Sequence, residues 1–150
     1  MTEIKELTLC NLPEIKALFV SVFTRPPWND DWSDAAQLDA YLRDIMHART
    51  PLAFGLYDGG QLAGISLGNI RHWWSGTEYY IEDFCIKTEL QRRGLGSRFL
   101  GLIEDEIRKR GVSQLFLITQ RNVPAYGFYK KHGFTELEQH VSFFKELNRK

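Results

Sequence analysis

The chain has 150 residues, 43% hydrophobic and 25% charged, which is the composition of a soluble globular protein and excludes a disordered or low-complexity one. Lys plus Arg and Asp plus Glu are 19 each, so the charge balance gives no electrostatic reason to expect nucleic acid or an anionic membrane as partner. Cys10 and Cys85 do not form a disulfide framework, no metal-ligand spacing is present, and no apolar run approaches the ~18 residues of a membrane span. The length predicts one domain, 1–150, and the charged start Thr2-Glu3-Ile4-Lys5-Glu6 lacks the apolar core of a signal peptide, so the cytoplasm is the expected location.

Residues 2–9 read as a first strand. Asn11 reads as a helix N-cap, with Pro13 in the first turn and Glu14 three residues on. Ile15, Leu18, Phe19, Val22 and Phe23 then recur at helical spacing and stop before Pro26-Pro27. After the loop Trp28-Asn29-Asp30-Asp31-Trp32, Ser33 is placed to cap a second helix whose apolar face is Leu38, Tyr41, Leu42 and Ile45. From residue 51 the period changes to that of strands: 52–57, a tight Asp58-Gly59-Gly60 turn, and 61–70 returning. Residues 71–77 read as a loop and 78–87 as a further strand. A strong helix runs to about Arg110, with Leu95, Phe99, Leu102, Ile103 and Ile107 as its buried stripe and Gly111 at its C-terminal cap. A short strand at 113–119, a helix around 123–131 and paired strands at 134–138 and 141–146 complete the order. Interleaved strands and helices without a linker predict an α/β domain with a mixed sheet.

The most informative segment is the turn Gln91-Arg92-Arg93-Gly94-Leu95-Gly96-Ser97 between a strand and a helix. Helix N-termini expose unpaired N–H groups and positive partial charge, so a turn that converges on one makes an anion site. Gly94 and Gly96 allow close backbone approach, and Arg92, Arg93 and Arg98 add charge. The turn is neither a Walker loop nor a dinucleotide fingerprint, because the Lys-Ser/Thr and the third glycine are missing and position 99 is Phe. On its own it is equally a helix start that needs glycine.

Further on stands Asn122-Val123-Pro124-Ala125-Tyr126-Gly127-Phe128-Tyr129-Lys130-Lys131-His132-Gly133-Phe134. A Q/R-x-x-G-x-G/A turn after a strand, followed by N-x-x-A-x-x-x-Y-x-x-x-G-F, resembles the GNAT (GCN5-related) acetyltransferases, and the similarity covers most of the chain in the expected order. The resemblance implies a single GNAT domain with a mixed, mostly antiparallel central sheet splayed at its core strand and helices on both faces. It implies acetyl-CoA as co-substrate, lying in the splay. Backbone groups of Phe84, Cys85 and Ile86 would hold the acetyl and pantetheine arm. Gln91, Arg92, Arg93, Gly94, Leu95, Gly96 and Ser97 would hold the pyrophosphate. Asn122 would bond the pantetheine chain, and Tyr126 and Tyr129 would line the other side.

Acetyl transfer to an amine needs a neutral amine, a held carbonyl and a proton for the leaving thiolate. The resemblance gives the last role to Tyr129. For deprotonation Glu82 and Asp83 are the candidates. Neighbours on a strand face opposite ways, so at most one of them is expected to meet the amine. Similarity to aminoglycoside 6'-N-acetyltransferases favours Glu82, directly or through a water, and the alternative is a surface ion pair. Cys85 reads as a small core residue, and His72, His132 and His140 as scattered surface or structural residues. Acceptor selection falls to the N-terminal helices and the cleft loops, where Trp28, Asp31, Trp32 and Trp74 combine rings with acids and, with Glu78, Glu82 and Asp83, suit a cationic amine such as an aminoglycoside, polyamine or lysine side chain. Trp28 and Trp32 are equally read as staples of their loop. A protein lysine or N-terminal acetyltransferase and an acyl-CoA-binding regulator are the competing readings, and a homodimer is compatible with all of them.

Overall fold

The computed structural model describes residues 1–148. They form two compact units, Met1–Ile118 and the residues from Thr119 on. The first unit carries strands β1 (Thr2–Glu6), β2 (Pro51–Asp58), β3 (Gln61–Trp73), β4 (Gly76–Ile86) and β5 (Gln114–Leu117), and helices α1 (Leu12–Phe23), α2 (Ala35–Met46) and α3 (Leu95–Lys109). The second carries α4 (Pro124–Lys131). The sheet order is β1-β2-β3-β4-β5. Its first four strands are antiparallel neighbours, and β4–β5 is the parallel pair. This is the mixed, mostly antiparallel α/β sheet the sequence predicts.

Helices cover both faces of the sheet. On one, Ile15, Phe19 and Val22 of α1 and Leu38, Leu42 and Ile45 of α2 bury against Ala53, Ile65, Leu67 and Cys85. On the other, Phe99, Ile103 and Ile107 of α3 bury against Leu52, Phe54, Leu56, Tyr79, Ile81 and Ile86. Alternation along each strand produces this two-sided core, since successive side chains leave opposite faces. Within the second layer Tyr79 is fully buried. Its hydroxyl is satisfied by Ser66 Oγ at 2.9 Å and by the Leu52 carbonyl, to which it donates at 3.1 Å.

Several boundaries differ from the sequence reading. The first strand stops at Glu6, and a short turn, Leu9–Asn11, capped by Thr8, precedes α1; Asn11 is the N-cap position of α1 as the sequence predicts, but its side chain makes no cap hydrogen bond there. Thr8 Oγ1 accepts from the Cys10 N–H, while Asn11 Oδ1 accepts from the Thr8 N–H at 3.0 Å, a reciprocal pair of the capping-box kind. Helix α2 is capped by Asp34, whose side chain accepts from the Gln37 N–H. Ser33 instead donates its N–H to Asp31 Oδ1 at 3.0 Å. Residues 71–77 are mostly strand. β3 and β4 pair as far as Trp73↔Gly76 and turn at Trp74 and Ser75, because Arg71 and Glu78 face each other across the strands and form an ion pair. The segments 134–138 and 141–146 carry no strand. No strand among the described residues pairs with them, and Val141, Phe143 and Phe144 stand 73%, 94% and 91% exposed.

Candidate active site

β5 accompanies β4 only as far as Ile81↔Leu117, so beyond that point residues 83–86 pair in the sheet with β3 alone. This is the splay the resemblance implies. At the same point the β3–β4 register slips. Gly68 pairs with Ile81, Leu67 pairs with Asp83, and Glu82 has no opposite number. It is the extra residue of a β-bulge.

Glycine at 68 permits this. A Cβ there would lie 2.1 Å from the Tyr80 carbonyl oxygen and 2.8 Å from the Tyr79 ring. The bulge also breaks the alternation. Tyr79 and Ile81 point to the α3 layer, and past the bulge Phe84 and Ile86 do so, whereas Cys85 joins the α1/α2 layer. Glu82 and Asp83 therefore share the α1/α2 side. The expectation that they face opposite ways fails because it assumes an unbroken pleat.

On that side Asp83 accepts a 2.7 Å hydrogen bond from the Tyr41 hydroxyl of α2. Tyr41 sits against Trp32, with ring centroids 5.2 Å apart, and Phe19, at 5.9 Å. Burial pushes the Asp83 carboxyl up to about 6, with the neighbouring charges of Glu82 and Asp30 adding to the shift and the Tyr41 bond opposing it. Burial first, then the Asp83 charge, also pushes the Tyr41 phenol far above its ordinary range. Glu82 is exposed. Among the described residues no Lys or Arg forms an ion pair with Glu82, Asp83 or Asp30.

Glu78, a few residues earlier on the same strand, is different. It is only 4% exposed, receives both Nε and Nη2 of Arg71 on Oε2, and takes a 2.8 Å bond from Gln114 on Oε1. The Arg71 guanidinium in turn lies over the Tyr80 and Phe116 rings, 4.3 and 5.2 Å from their centroids. Its charge is matched inside the protein, so it adds no attraction for a cationic acceptor.

The predicted acceptor residues spread over two places. Trp32 lies against Phe19 and Tyr41, and its Nε1 is the buried side-chain polar atom that lacks a partner among the described residues. Trp28 packs on Phe23 at 5.7 Å. Asp31 is held low by its hydrogen bonds to Ser33 and thus shapes its own loop. Trp74 stands at the hairpin turn, 87% exposed, near the opposite end of β4 from Glu82. Sequence reasoning missed Tyr41, and it named Asp30 only within the acceptor loop 27–32. Tyr41 falls in the apolar stripe of α2 and passes as core. A hydroxyl in that stripe, which must find a partner once buried, was the available signal.

On the other side of the splay, Gln91 Nε2 donates to the Ile86 carbonyl at 3.0 Å and ties the turn to the end of β4. Arg92 and Gly94 both have positive φ, 65° and 78°. Gly94 is the N-cap of α3 and supplies no side-chain cap, and a Cβ there would meet nothing within 4 Å. The N–H groups of the first helical turn are thus capped by no side chain of the N-cap residue, in open space, as an anion site requires. Arg92 and Arg93 are exposed, while Arg98 Nε donates to Thr2 Oγ1 at 3.2 Å. Burial, then the Asp83 charge, pushes the Cys85 thiol far up, which suits a core residue and not a nucleophile.

A model of the acetyltransferase (GNAT) family matches residues 12–134. The chain belongs to that family. A [ribosomal protein bS18]-alanine N-acetyltransferase of Escherichia coli K12 is 27% identical over 111 residues, 73% of this chain and 66% of that protein. The chain spans 57% to 66% of the length of the curated relatives it matches. Among solved structures, the aminoglycoside acetyltransferase meta-AAC0020 from an uncultured soil metagenomic sample, in complex with sisomicin, superposes with TM-score 0.74 at 21% identity, covering 98% of this chain and 97% of that one. The aminoglycoside N-acetyltransferase AAC(6')-Iy, in complex with CoA, gives 0.73 at 18% identity, with 97% and 95% covered. At these identities the structures establish the GNAT fold.

In the second unit the other GNAT motif is built locally. Gly133 takes a φ of 86° just past α4, and Phe134 folds back, its N–H donating to the Tyr129 carbonyl at 3.0 Å and its ring 5.2 Å from that of Tyr129. The Tyr126 hydroxyl donates to Glu136 at 2.6 Å, and Arg121 Nη1 donates to the same carboxylate. Asn122 is exposed. Among the described residues no group of three or more His, Cys, Asp and Glu is arranged to hold a metal ion, and no helix is long and apolar enough to cross a membrane.

Proposed function

We propose that this protein transfers the acetyl group of acetyl-CoA to the primary amine of a small cationic molecule, aminoglycoside- or polyamine-like, by direct attack. The observation that carries the acceptor class is the acidic face itself. The bulge delivers Glu82 and Asp83 to one side near Asp30, and none of the three is neutralised by a described Lys or Arg. Carboxylates left without an internal cation are poised for an external one, unlike Glu78. Family membership and the neighbours that act on aminoglycosides support the same reading.

The residues fit acetyl-CoA. The positive-φ turn and the α3 N-terminus suit its pyrophosphate, held by N–H groups of residues 91–97 with Arg92 and Arg93 as counter-charge. The strand edge at Phe84, Cys85 and Ile86 suits its pantetheine arm, and the family resemblance gives Asn122, Tyr126 and Tyr129 their roles toward the same arm. Acetyl-CoA supplies an activated thioester. The carboxylates of Glu82 and Asp83 bind the ammonium and take its proton, and the Tyr129 hydroxyl protonates the departing thiolate. A family match that runs through both compact units, 12–134, supports their acting as one domain. We also propose a homodimer in which a second copy covers the exposed Val141, Phe143 and Phe144, since apolar patches of this kind mark interfaces.

The test is thiol release from acetyl-CoA against aminoglycosides, polyamines, free amino acids and short lysine or N-terminal peptides. Turnover is expected with the polycations and to fall about a hundredfold in Tyr129→Phe. Turnover confined to N-terminal peptides would move the acceptor to a protein, as in the E. coli relative. Tight acetyl-CoA binding without turnover would make the protein a regulator.

A further inference from the structure

We infer that Asp83, rather than Glu82, accepts the proton of the amine, and that Tyr41 is the positioning residue that holds it for this task. The inference rests on the acetyl-transfer reading and divides the labour of the two carboxylates. Resemblance favours Glu82, but the two groups are held very differently. Asp83 is partly buried and fixed on Oδ2 by the 2.7 Å bond from Tyr41. Tyr41 is itself held by the Phe19 and Trp32 rings. Asp83 Oδ1 has no partner among the described residues. Glu82 is exposed and its side chain makes no hydrogen bond among the described residues, so it is a solvated charge, suited to drawing in a cation and poorly suited to fixing a proton-transfer geometry.

The surroundings of Asp83 select for proton uptake. The groups that act on it are Tyr41 from α2, Asp30 from the loop before α2, and Glu82 on β4. Cys85, also on β4, feels its charge. Leu67, its cross-strand partner, is apolar. None is a cation, and the carboxyl lies at about 6, just below neutral pH, where a general base is both ionised and basic enough to work. Tyr41 is held so far above its ordinary range that it keeps its proton throughout and acts only as donor to Oδ2.

The step balances as follows. One N–H bond of the ammonium breaks, its proton goes to Asp83 Oδ1 and the electron pair stays on nitrogen. That pair forms the bond to the acetyl carbonyl carbon as the carbon–sulfur bond breaks and sulfur leaves with its electrons. Sulfur takes the Tyr129 proton, the second nitrogen proton replaces it through solvent, and Asp83 releases its proton to water.

The test is the pH profile of kcat for the wild type, Tyr41→Phe, Asp83→Asn and Glu82→Gln, together with ¹³C NMR titration of the Asp83 carboxyl in the substrate-free protein. The wild-type rate is expected to rise with pH and level off above about 6. Tyr41→Phe removes a donor to the carboxylate and moves both the kinetic break and the NMR titration upward by about one pH unit. Asp83→Asn lowers kcat by about 10²–10³-fold and abolishes the break. Glu82→Gln raises KM about tenfold and keeps the break, moved downward because the Glu82 charge no longer raises the Asp83 carboxyl. Loss of the break in Glu82→Gln with its retention in Tyr41→Phe, or an Asp83 titration near 4, overturns the assignment. In either case acetyl transfer by the wild type stands. A wild type that acetylates no amine removes the parent reading and this one with it.

Discussion

Strand β4 carries two kinds of acid a short distance apart, and they behave oppositely. Glu78 lies in the stretch pinned by β3 on one side and β5 on the other, and its charge is consumed by Arg71 and Gln114. Glu82 and Asp83 lie where β5 has departed and meet no described cation. The first arrangement holds the sheet together. The second keeps a charge in reserve at some cost to the fold. Sequence shows three acids on one strand, and only the pairing around them says which are structural.

The comparison breaks most sharply at Arg71. Arg71→Met keeps a stem over Tyr80 and Phe116 but leaves Glu78 buried without its cation, and we expect a loss of about 4 kcal/mol in urea unfolding. Amine affinity at the other end of the strand should be unchanged.

Asp83 is expected to show the reverse. Its carboxyl rises from 3.8 to about 6 in the folded state, so between those values the native protein binds more protons than the unfolded chain and its stability falls as pH rises. The full shift corresponds to about 3 kcal/mol at most. Asp83→Asn should therefore be more stable than the wild type at neutral pH, lose that advantage below about pH 4, and turn over far more slowly. Melting temperatures of both proteins between pH 4 and 8 check this, and a constant difference across that range contradicts it.

The smallest effect belongs to the bulge. Gly68→Ala drives a Cβ toward the Tyr80 carbonyl, and we expect about 2 kcal/mol of destabilisation with a rise in KM for the amine, because Glu82 and Asp83 lose their common side. A stable variant with unchanged KM would show that the strands separate without moving the acids.

Much of this was legible in the chain. The α3 stripe of Phe99, Ile103 and Ile107, the Asp58-Gly59-Gly60 hairpin and the Gly94 turn all appear where local pattern places them, since each is set by near neighbours. What escaped depends on partners distant in sequence. The extension of β3 and β4 through 71–77 rests on a cross-strand ion pair, and the bulge on a glycine that meets Tyr80. The role of Tyr41 depends on an acid 42 positions away. The alternation in 134–146 reads as two strands, but a strand needs a neighbour, and the described residues provide none.

The bulge gives β4 a spare residue. Before it the odd-numbered side chains serve the α3 layer, and after it the even-numbered ones do, so the strand changes parity at Glu82 without disturbing either layer. Excising that residue would leave Asp83 opposite Leu67, Cys85 opposite Ile65 and both cores as they are. The acidity of the cleft is thus written on a separate line from the architecture: one carboxylate can be added or deleted by descent or by design, and the scaffold around it need not be recomposed.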